Sequence, residues 1–190
     1  MSTRTHAAIL PSNIETLFAN ALKDYAIQTG DDLATHPLFS KIKSCDSVES
    51  IAAVLQEQAD AFHKFRKRDQ KVAKWLEPTI NVINMLSGTL SEAVSLAFPP
   101  GKVIFAGIGI LLVAFQGVNA SYDVLDGLFE SISHFLMRLK IYSEIPSTPA
   151  IAEIIAKILI ELISVLALAT KEVKQGRLSE YIFSYESLFL

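Results

Sequence analysis

Apolar residues recur every three or four positions along most of the chain, and short segments rich in proline, glycine and polar residues separate these stretches. That spacing places apolar side chains on one face of an α-helix. No segment shows the sustained period-two alternation that is typical of a strand. The pattern therefore predicts an all-α fold, a single bundle of five to seven helices, several of them long, around a central apolar helix.

The first predicted helix follows Ser12, which can cap it, and Glu15 stands where it completes a capping box. Gly30 is predicted to end this helix. Residues 31–46 are predicted to form a connector with one short turn after Pro37.

A second apolar pattern runs from Ser47 to Glu77 and predicts one long helix. Pro78 then suits the first turn of a third helix, a position where proline is well tolerated. The Phe-Pro-Pro-Gly sequence at residues 98–101 is predicted to break that third helix.

Residues 103–115 are all uncharged and apolar or glycine. As a helix they span about 20 Å, whereas the hydrocarbon core of a bilayer is about 30 Å thick. This length favours a buried central helix over a membrane span. Small residues on one face predict a close helix crossing, although the same stripe would suit packing in lipid after a rearrangement. They are Gly107, Ala114, Gly117 and Ser121.

A further apolar pattern covers residues 125–142 and either continues the helix of residues 103–115 or forms a separate one. The last predicted helix begins at Pro149 with Thr148 as its cap and ends at Gly176. Glu153, Lys157 and Glu161 follow one another at intervals of four on this helix and therefore share one side of it. This spacing predicts that one side of the helix is exposed to solvent and that the other three sides are buried. Six apolar positions are predicted to be buried together: Ile104, Leu111, Leu112, Ile158, Leu162 and Leu166.

The composition agrees with a bundle in a reducing compartment. Apolar residues make up 51% of the 190 residues, and the formal net charge is −3, a near balance that argues against a role in coating nucleic acid. The only cysteine, Cys45, cannot form an internal disulfide. The first residues lack the apolar region of a secretory signal, so we expect a cytoplasmic protein.

The sequence offers no convincing catalytic or cofactor motif. Gly107 and Gly109 lack the third glycine of a dinucleotide site, and Gly101-Lys102 lacks the other residues of a phosphate loop. Cys45 could act as a nucleophile beside one of the histidines, but a single cysteine and a few histidines are expected by chance, so an unreactive thiol is the favoured interpretation. The four histidines lack zinc-ligand spacing; they are His6, His36, His63 and His134. We therefore predict a protein that is not an enzyme and that has no catalytic, cofactor or metal site.

One group of charges is unusual. Lys64, Lys67, Arg68 and Lys71 stand at i, i+3, i+4 and i+7 and would share one face of the long second helix, with Trp75 on the same line. Like charges at these spacings repel, so the cluster suggests a use for positive potential. An acidic protein partner or an anionic membrane would fit, and a solvated helix face is the alternative.

Residues spread over most of the chain resemble the Goodbye domain found at the N-terminus of fungal STAND proteins, the fungal counterparts of NOD-like receptors. The resemblance covers approximately residues 13–177. In the first half it rests on single positions, namely Phe18, Ala21, Leu22, Tyr25, Thr29, Gly30, Asp31, Leu33, His36, Pro37, Leu38, Phe65, Arg66, Asp69, Trp75, Leu76 and Pro78. Later it rests on longer stretches, namely 98–102 (FPPGK), 104–112 (IFAGIGILL), 121–123 (SYD), 128–129 (LF) and 161–171 (ELISVLALATK).

The resemblance implies a helical effector or adaptor module associated with non-self recognition, innate immunity and regulated cell death. It implies that the module acts through a protein partner or through self-association and does not bind nucleic acid. A membrane-acting death effector, which binds or permeabilises anionic membranes on activation, is the alternative. The family's domain usually precedes a nucleotide-binding domain and a repeat sensor, and this chain has neither. Residues 12–177 are expected to form the domain, and residues 178–190 are expected to be a divergent C-terminal tail.

The basic cluster yields a first testable prediction. Changing Lys64, Lys67, Arg68 and Lys71 together to Gln should weaken binding to phosphatidylserine vesicles by up to about three orders of magnitude, because each charge near such a surface contributes about 1 kcal/mol. The helix should survive, since Gln and Lys have similar helix propensity. Vesicle sedimentation at low and high salt measures the effect. Equal binding by both proteins would indicate that the cluster is only a solvent-exposed helix face.

Overall fold

The structure, a computed structural model, describes residues 9–64, 71–93, 99–116, 122–140 and 148–176. Within these ranges the chain forms seven helices and no strand, so the predicted all-α fold is confirmed. The helices are α1 (Ile9–Thr29), α2 (Pro37–Lys43), α3 (Val48–Lys64), α4 (Lys71–Ala93), α5 (Pro100–Gln116), α6 (Tyr122–Leu139) and α7 (Pro149–Lys174).

Local signals place several helix ends correctly. Gly30 adopts a positive φ of 76° directly after α1, and Gly176 does so with 69° after α7, because glycine enters this conformation at little steric cost. The Thr148 side chain accepts a hydrogen bond from the backbone N–H of Ile151 and caps α7. The short turn expected after Pro37 is α2.

The predicted start of the first helix at Ser12 is wrong, because α1 already begins at Ile9. Ser12 and Pro11 therefore lie inside the first turns. Pro11 is tolerated there since the first backbone N–H groups of a helix have no intrahelical acceptor to lose.

The prediction of one helix from Ser47 to Glu77 is also wrong. Val48 and Leu76 line the same cleft, whereas in one continuous helix they would lie about 42 Å apart. Instead α3 and α4 pack against each other, and α4 runs through Pro78. An interior proline costs about 3 kcal/mol. Contacts of α4 with α3, α5, α6 and α7 offset that cost.

The central apolar helix is confirmed as α5. It contacts α2, α3, α4 and α7, and thirteen of its seventeen residues are buried. Five of the six predicted core positions are buried, but Ile158 is only half-buried because it lies beside Lys157 on the wet face of α7. That face carries the predicted charges, and Lys157 Nζ lies 2.8 Å from Glu153 Oε1.

Three glycines let neighbouring helices approach the backbone of α5. A Cβ built on Gly107 would lie 3.1 Å from Leu166 Cδ1 of α7, which confirms the predicted close crossing at this residue. A Cβ on Gly109 would overlap Leu38 Cδ2 of α2, and one on Gly101 would lie 2.7 Å from Ser87 Oγ of α4. Close approach is thus spread over several faces of α5 and is not a single stripe. Ala114 is half-buried, while Gly117 and Ser121 lie outside the described residues.

The ends of α1 and α7 are joined by a buried and a half-buried contact. Lys174 Nζ donates to the carbonyl oxygen of Thr29 at 2.9 Å and pairs with Asp31. One turn earlier the fully buried Tyr25 hydroxyl faces Thr170. Burial raises the pKa of Tyr25 from 10.0 to about 12, because the phenolate would lose its hydration.

The glycines of α5 yield a stability prediction. Gly109→Ala should lower the free energy of unfolding by about 1–3 kcal/mol, because the new methyl group collides with Leu38. Gly88→Ala is the matched control. Gly88 is exposed inside α4 with nothing within 4 Å, so alanine should stabilise the helix by about 0.5–1 kcal/mol. Urea unfolding of both variants measures the effect, and a Gly109→Ala protein as stable as Gly88→Ala would refute the packing argument.

The buried tyrosine predicts a loss of stability at alkaline pH. Below pH 10 the phenol is protonated in both states, so its contribution to stability is complete. As the pH rises from 10 towards about 12, the unfolded chain ionises first and the folded state loses about 2–3 kcal/mol. Tyr25→Phe should remove this part of the pH dependence of the unfolding free energy, which urea titrations between pH 8 and pH 12 measure. The same pH dependence in both proteins would contradict the prediction.

Candidate interaction surface

An open cleft lies between the first half of α3 and the second and third turns of α4. It has a volume of about 420 Å³. Its floor is apolar because Leu76 is buried and Val48 and Ala52 pack against the core, while small side chains at Ala52 and Ala53 leave space above it. The lining residues are Val48, Glu49, Ala52, Ala53, Gln56, Leu76, Glu77 and Asn81.

A capping arrangement fixes one acidic wall of the cleft. Ser50 N donates to Ser47 Oγ and Ser47 N donates to Ser50 Oγ, both at 3.2 Å, so the two serines close the first turn of α3 reciprocally. Hydrogen bonds from its own backbone N–H and from the Ser47 hydroxyl lower the pKa of Glu49. Glu49 therefore stays charged at neutral pH. Glu77 supplies an exposed carboxylate from α4 on the other wall.

Charges are segregated along α3 and α4. The helical residues 48–60 and 76–93 contain only acidic charged side chains, namely Glu49, Glu57, Asp60, Glu77 and Glu92. The intervening residues 61–75, by contrast, contain six Lys and Arg and one Asp. Along α3 the cleft lies in the acidic first half of the helix, whereas on α4 the basic residues Lys71 and Lys74 directly precede Leu76 and Glu77, which line the cleft.

The predicted basic cluster is only partly covered by the structure. Lys64 is the last residue of α3, Lys71 is the first residue of α4 and Trp75 follows one turn later. Lys67 and Arg68 lie outside the described residues. Since Lys64 and Trp75 belong to different helices, a single helical face does not explain the cluster, and its role as an interaction surface stays a prediction.

Several side chains that could suggest chemistry have structural roles instead. The ammonium group of Lys102 donates to the carbonyl oxygens of Lys43 and Cys45, both at 2.8 Å, and so closes the C-terminal end of α2. His36 Nδ1 accepts from the backbone N–H of Leu38 and caps the same helix. The buried thiol of Cys45 donates to the carbonyl oxygen of Lys41. In the described part of the chain no group of three acidic, histidine or cysteine residues is placed to hold a metal ion.

The family follows from comparison with known proteins. The fold and surface are those of a helical bundle with a charged cleft between two of its helices. A family model, the fungal STAND N-terminal Goodbye domain, matches residues 18–142, about two thirds of the chain. The chain therefore belongs to the Goodbye domain family, as the sequence resemblance predicted. The matched region contains both the cleft and the basic residues. Searches of curated proteins and of solved structures gave no match.

Proposed function

We propose that this chain is a non-catalytic effector or adaptor module of a fungal STAND signalling system, which links non-self recognition to regulated cell death through protein–protein contacts. The α3–α4 cleft is the observation that carries this proposal. Its apolar floor and charged walls have the character of a protein-binding groove, in which apolar contact supplies affinity and charge supplies specificity.

The packing of α5 favours protein contacts over membrane insertion. Four helices enclose α5, so exposing its apolar surface to lipid would require the bundle to open. The other strongly apolar helix, α7, carries Glu153, Lys157 and Glu161, which are costly at bilayer depth. Among the described residues no helix combines the length and the apolar character needed to cross a bilayer.

Blocking the cleft tests the proposal. Ala53 is exposed at the cleft, so Ala53→Arg should fill the opening without disturbing the core. Expressed in a fungal host, the full chain should cause cell death, and Ala53→Arg should reduce that response at least about tenfold, equivalent to ~1.4 kcal/mol of lost binding. Viable-cell counts beside thermal unfolding of the purified proteins provide the measurement.

The same substitution elsewhere is the control for this experiment. Ala19 is exposed on α1, and Ala19→Arg should retain the full response. A stably folded Ala53→Arg protein with undiminished activity would contradict a role for the cleft. Dye release from anionic vesicles that is equal for wild type and Ala53→Arg, with cell death also unchanged, would support the membrane-acting alternative instead.

A further inference from the structure

We propose that the α3–α4 cleft binds a basic amphipathic helix of a partner protein, which places apolar side chains on the floor of the cleft and a Lys or Arg beside Glu49. The proposal rests on the proposed function, because it names the chemistry of the partner that the same cleft accepts. It also states which wall of the cleft selects that partner.

The described residues that line the cleft offer two carboxylates and no cation. Glu49 and Glu77 contribute the carboxylates from opposite walls. Gln56 donates its side-chain amide to Asp60 Oδ1 at 2.7 Å, so the group that it presents to a ligand is its carbonyl oxygen. Lys and Arg side chains carry only hydrogen-bond donors and a positive charge. They therefore complement this lining, whereas an acidic partner would be repelled by it.

The two carboxylates differ in how far their own helices neutralise them. Residues 48–60 of α3 contain no Lys or Arg, and Glu49 takes part in none of the ion pairs among the residues that the structure describes. Lys74, by contrast, stands three residues before Glu77 on α4, where opposite charges on one helix attract. A cation of the partner therefore gains more from Glu49 than from Glu77, and the α3 wall is the main determinant of charge specificity.

The floor of the cleft supplies the apolar part of the contact. Leu76 is buried, and Val48 and Ala52 are half-buried against the core. Ala52 and Ala53 have short side chains, so a partner helix can approach the backbone of α3 to the distance of about 8–10 Å that is typical of packed helices. A basic segment without apolar residues would leave this floor in contact with water. The partner must therefore combine basic and apolar side chains.

The form of the cleft favours a helix over an extended peptide or a small molecule. Both walls are α-helices, whose backbone N–H and C=O groups bond within each helix and leave no strand edge to which an extended peptide could add. A small molecule binds tightly where a pocket encloses most of its surface, whereas this cleft is open. A helix laid between α3 and α4 covers the opening itself and repeats its apolar contacts at intervals of three and four residues.

Three synthetic peptides of about 15 residues, roughly four helical turns, test the chemistry of the partner. The first carries Leu along one helical face with Lys on both sides of it, the second carries Glu in place of Lys, and the third carries Ala in place of Leu. In fluorescence anisotropy the full chain should bind the first peptide at least about tenfold more tightly than either of the others, equivalent to ~1.4 kcal/mol. Raising the salt from about 0.1 M to about 1 M should weaken this binding, because it shortens the Debye length from ~10 Å to ~3 Å.

Substitutions in the chain test the site itself, with thermal unfolding as the check that each variant is folded. Glu49→Gln should weaken binding of the first peptide about tenfold, the loss expected for one charge-assisted contact, and Glu49→Asp, which keeps the charge, should weaken it less. Glu77→Gln should have a smaller effect than Glu49→Gln. Ala53→Arg should abolish binding because it fills the opening and adds a positive charge. Glu15→Gln makes the same change in net charge at an exposed position of α1 and should bind like wild type.

Equal binding of the basic and acidic peptides, no binding of any peptide, or undiminished binding by Ala53→Arg would overturn the proposal. A larger effect of Glu77→Gln than of Glu49→Gln would refute the assignment of charge specificity to the α3 wall. The two proposals fail differently. If Ala53→Arg reduces cell death but the basic peptide is not preferred, the cleft serves a partner of other chemistry and only this inference is refuted. If Ala53→Arg leaves cell death unchanged, the proposed function fails whatever the peptides show.

Discussion

The structure depends on the close approach of neighbouring helices to the backbone of α5. Gly107 and Gly109 are two residues apart, about 200° around the helix, so they open opposite faces of it. Leu166 of α7 occupies one face, and Leu38 of α2 with Leu55 of α3 occupies the other. A larger side chain at either glycine would push apart helices on that side. The position of α3, and with it the cleft that α3 forms with α4, follows from this contact.

The sequence predicted those features for which local signals and packing agree. The cap at Thr148 and the positive φ at Gly30 need only neighbouring residues, so they could be identified without a structure. The predicted helix boundary at Pro78 is wrong because the local preference of proline conflicts with packing. Ile80 and Ile83, which follow the proline, are fully buried, and their burial keeps α4 continuous. The tendency of proline to start or break a helix applies to an isolated helix, whereas α4 packs against four other helices.

The cleft could not be predicted from periodicity for a different reason. The apolar phase of residues 48–76 continues without interruption, so a pair of helices packed side by side gives the same pattern as one long helix. Only the presence of Val48 and Leu76 in the same cleft distinguishes them, and that proximity is non-local. The signal that could have pointed to the site is the separation of charge, with acidic residues on both sides of a basic segment. The predicted basic face contains only the positive residues of this pattern, so it does not indicate the acidic cleft.

That separation of charge opposes the stability of the isolated molecule. Lys71 and Lys74 stand in the first turn of α4, where the positive end of the helix dipole disfavours cations by about 0.3–1 kcal/mol each. Like charges three or four residues apart add further repulsion. Acidic residues in that first turn would instead be stabilised by the helix dipole. One spacing acts in the other direction, because Lys74 stands three residues before Glu77 on α4, where opposite charges on one helix attract and offset part of these unfavourable terms.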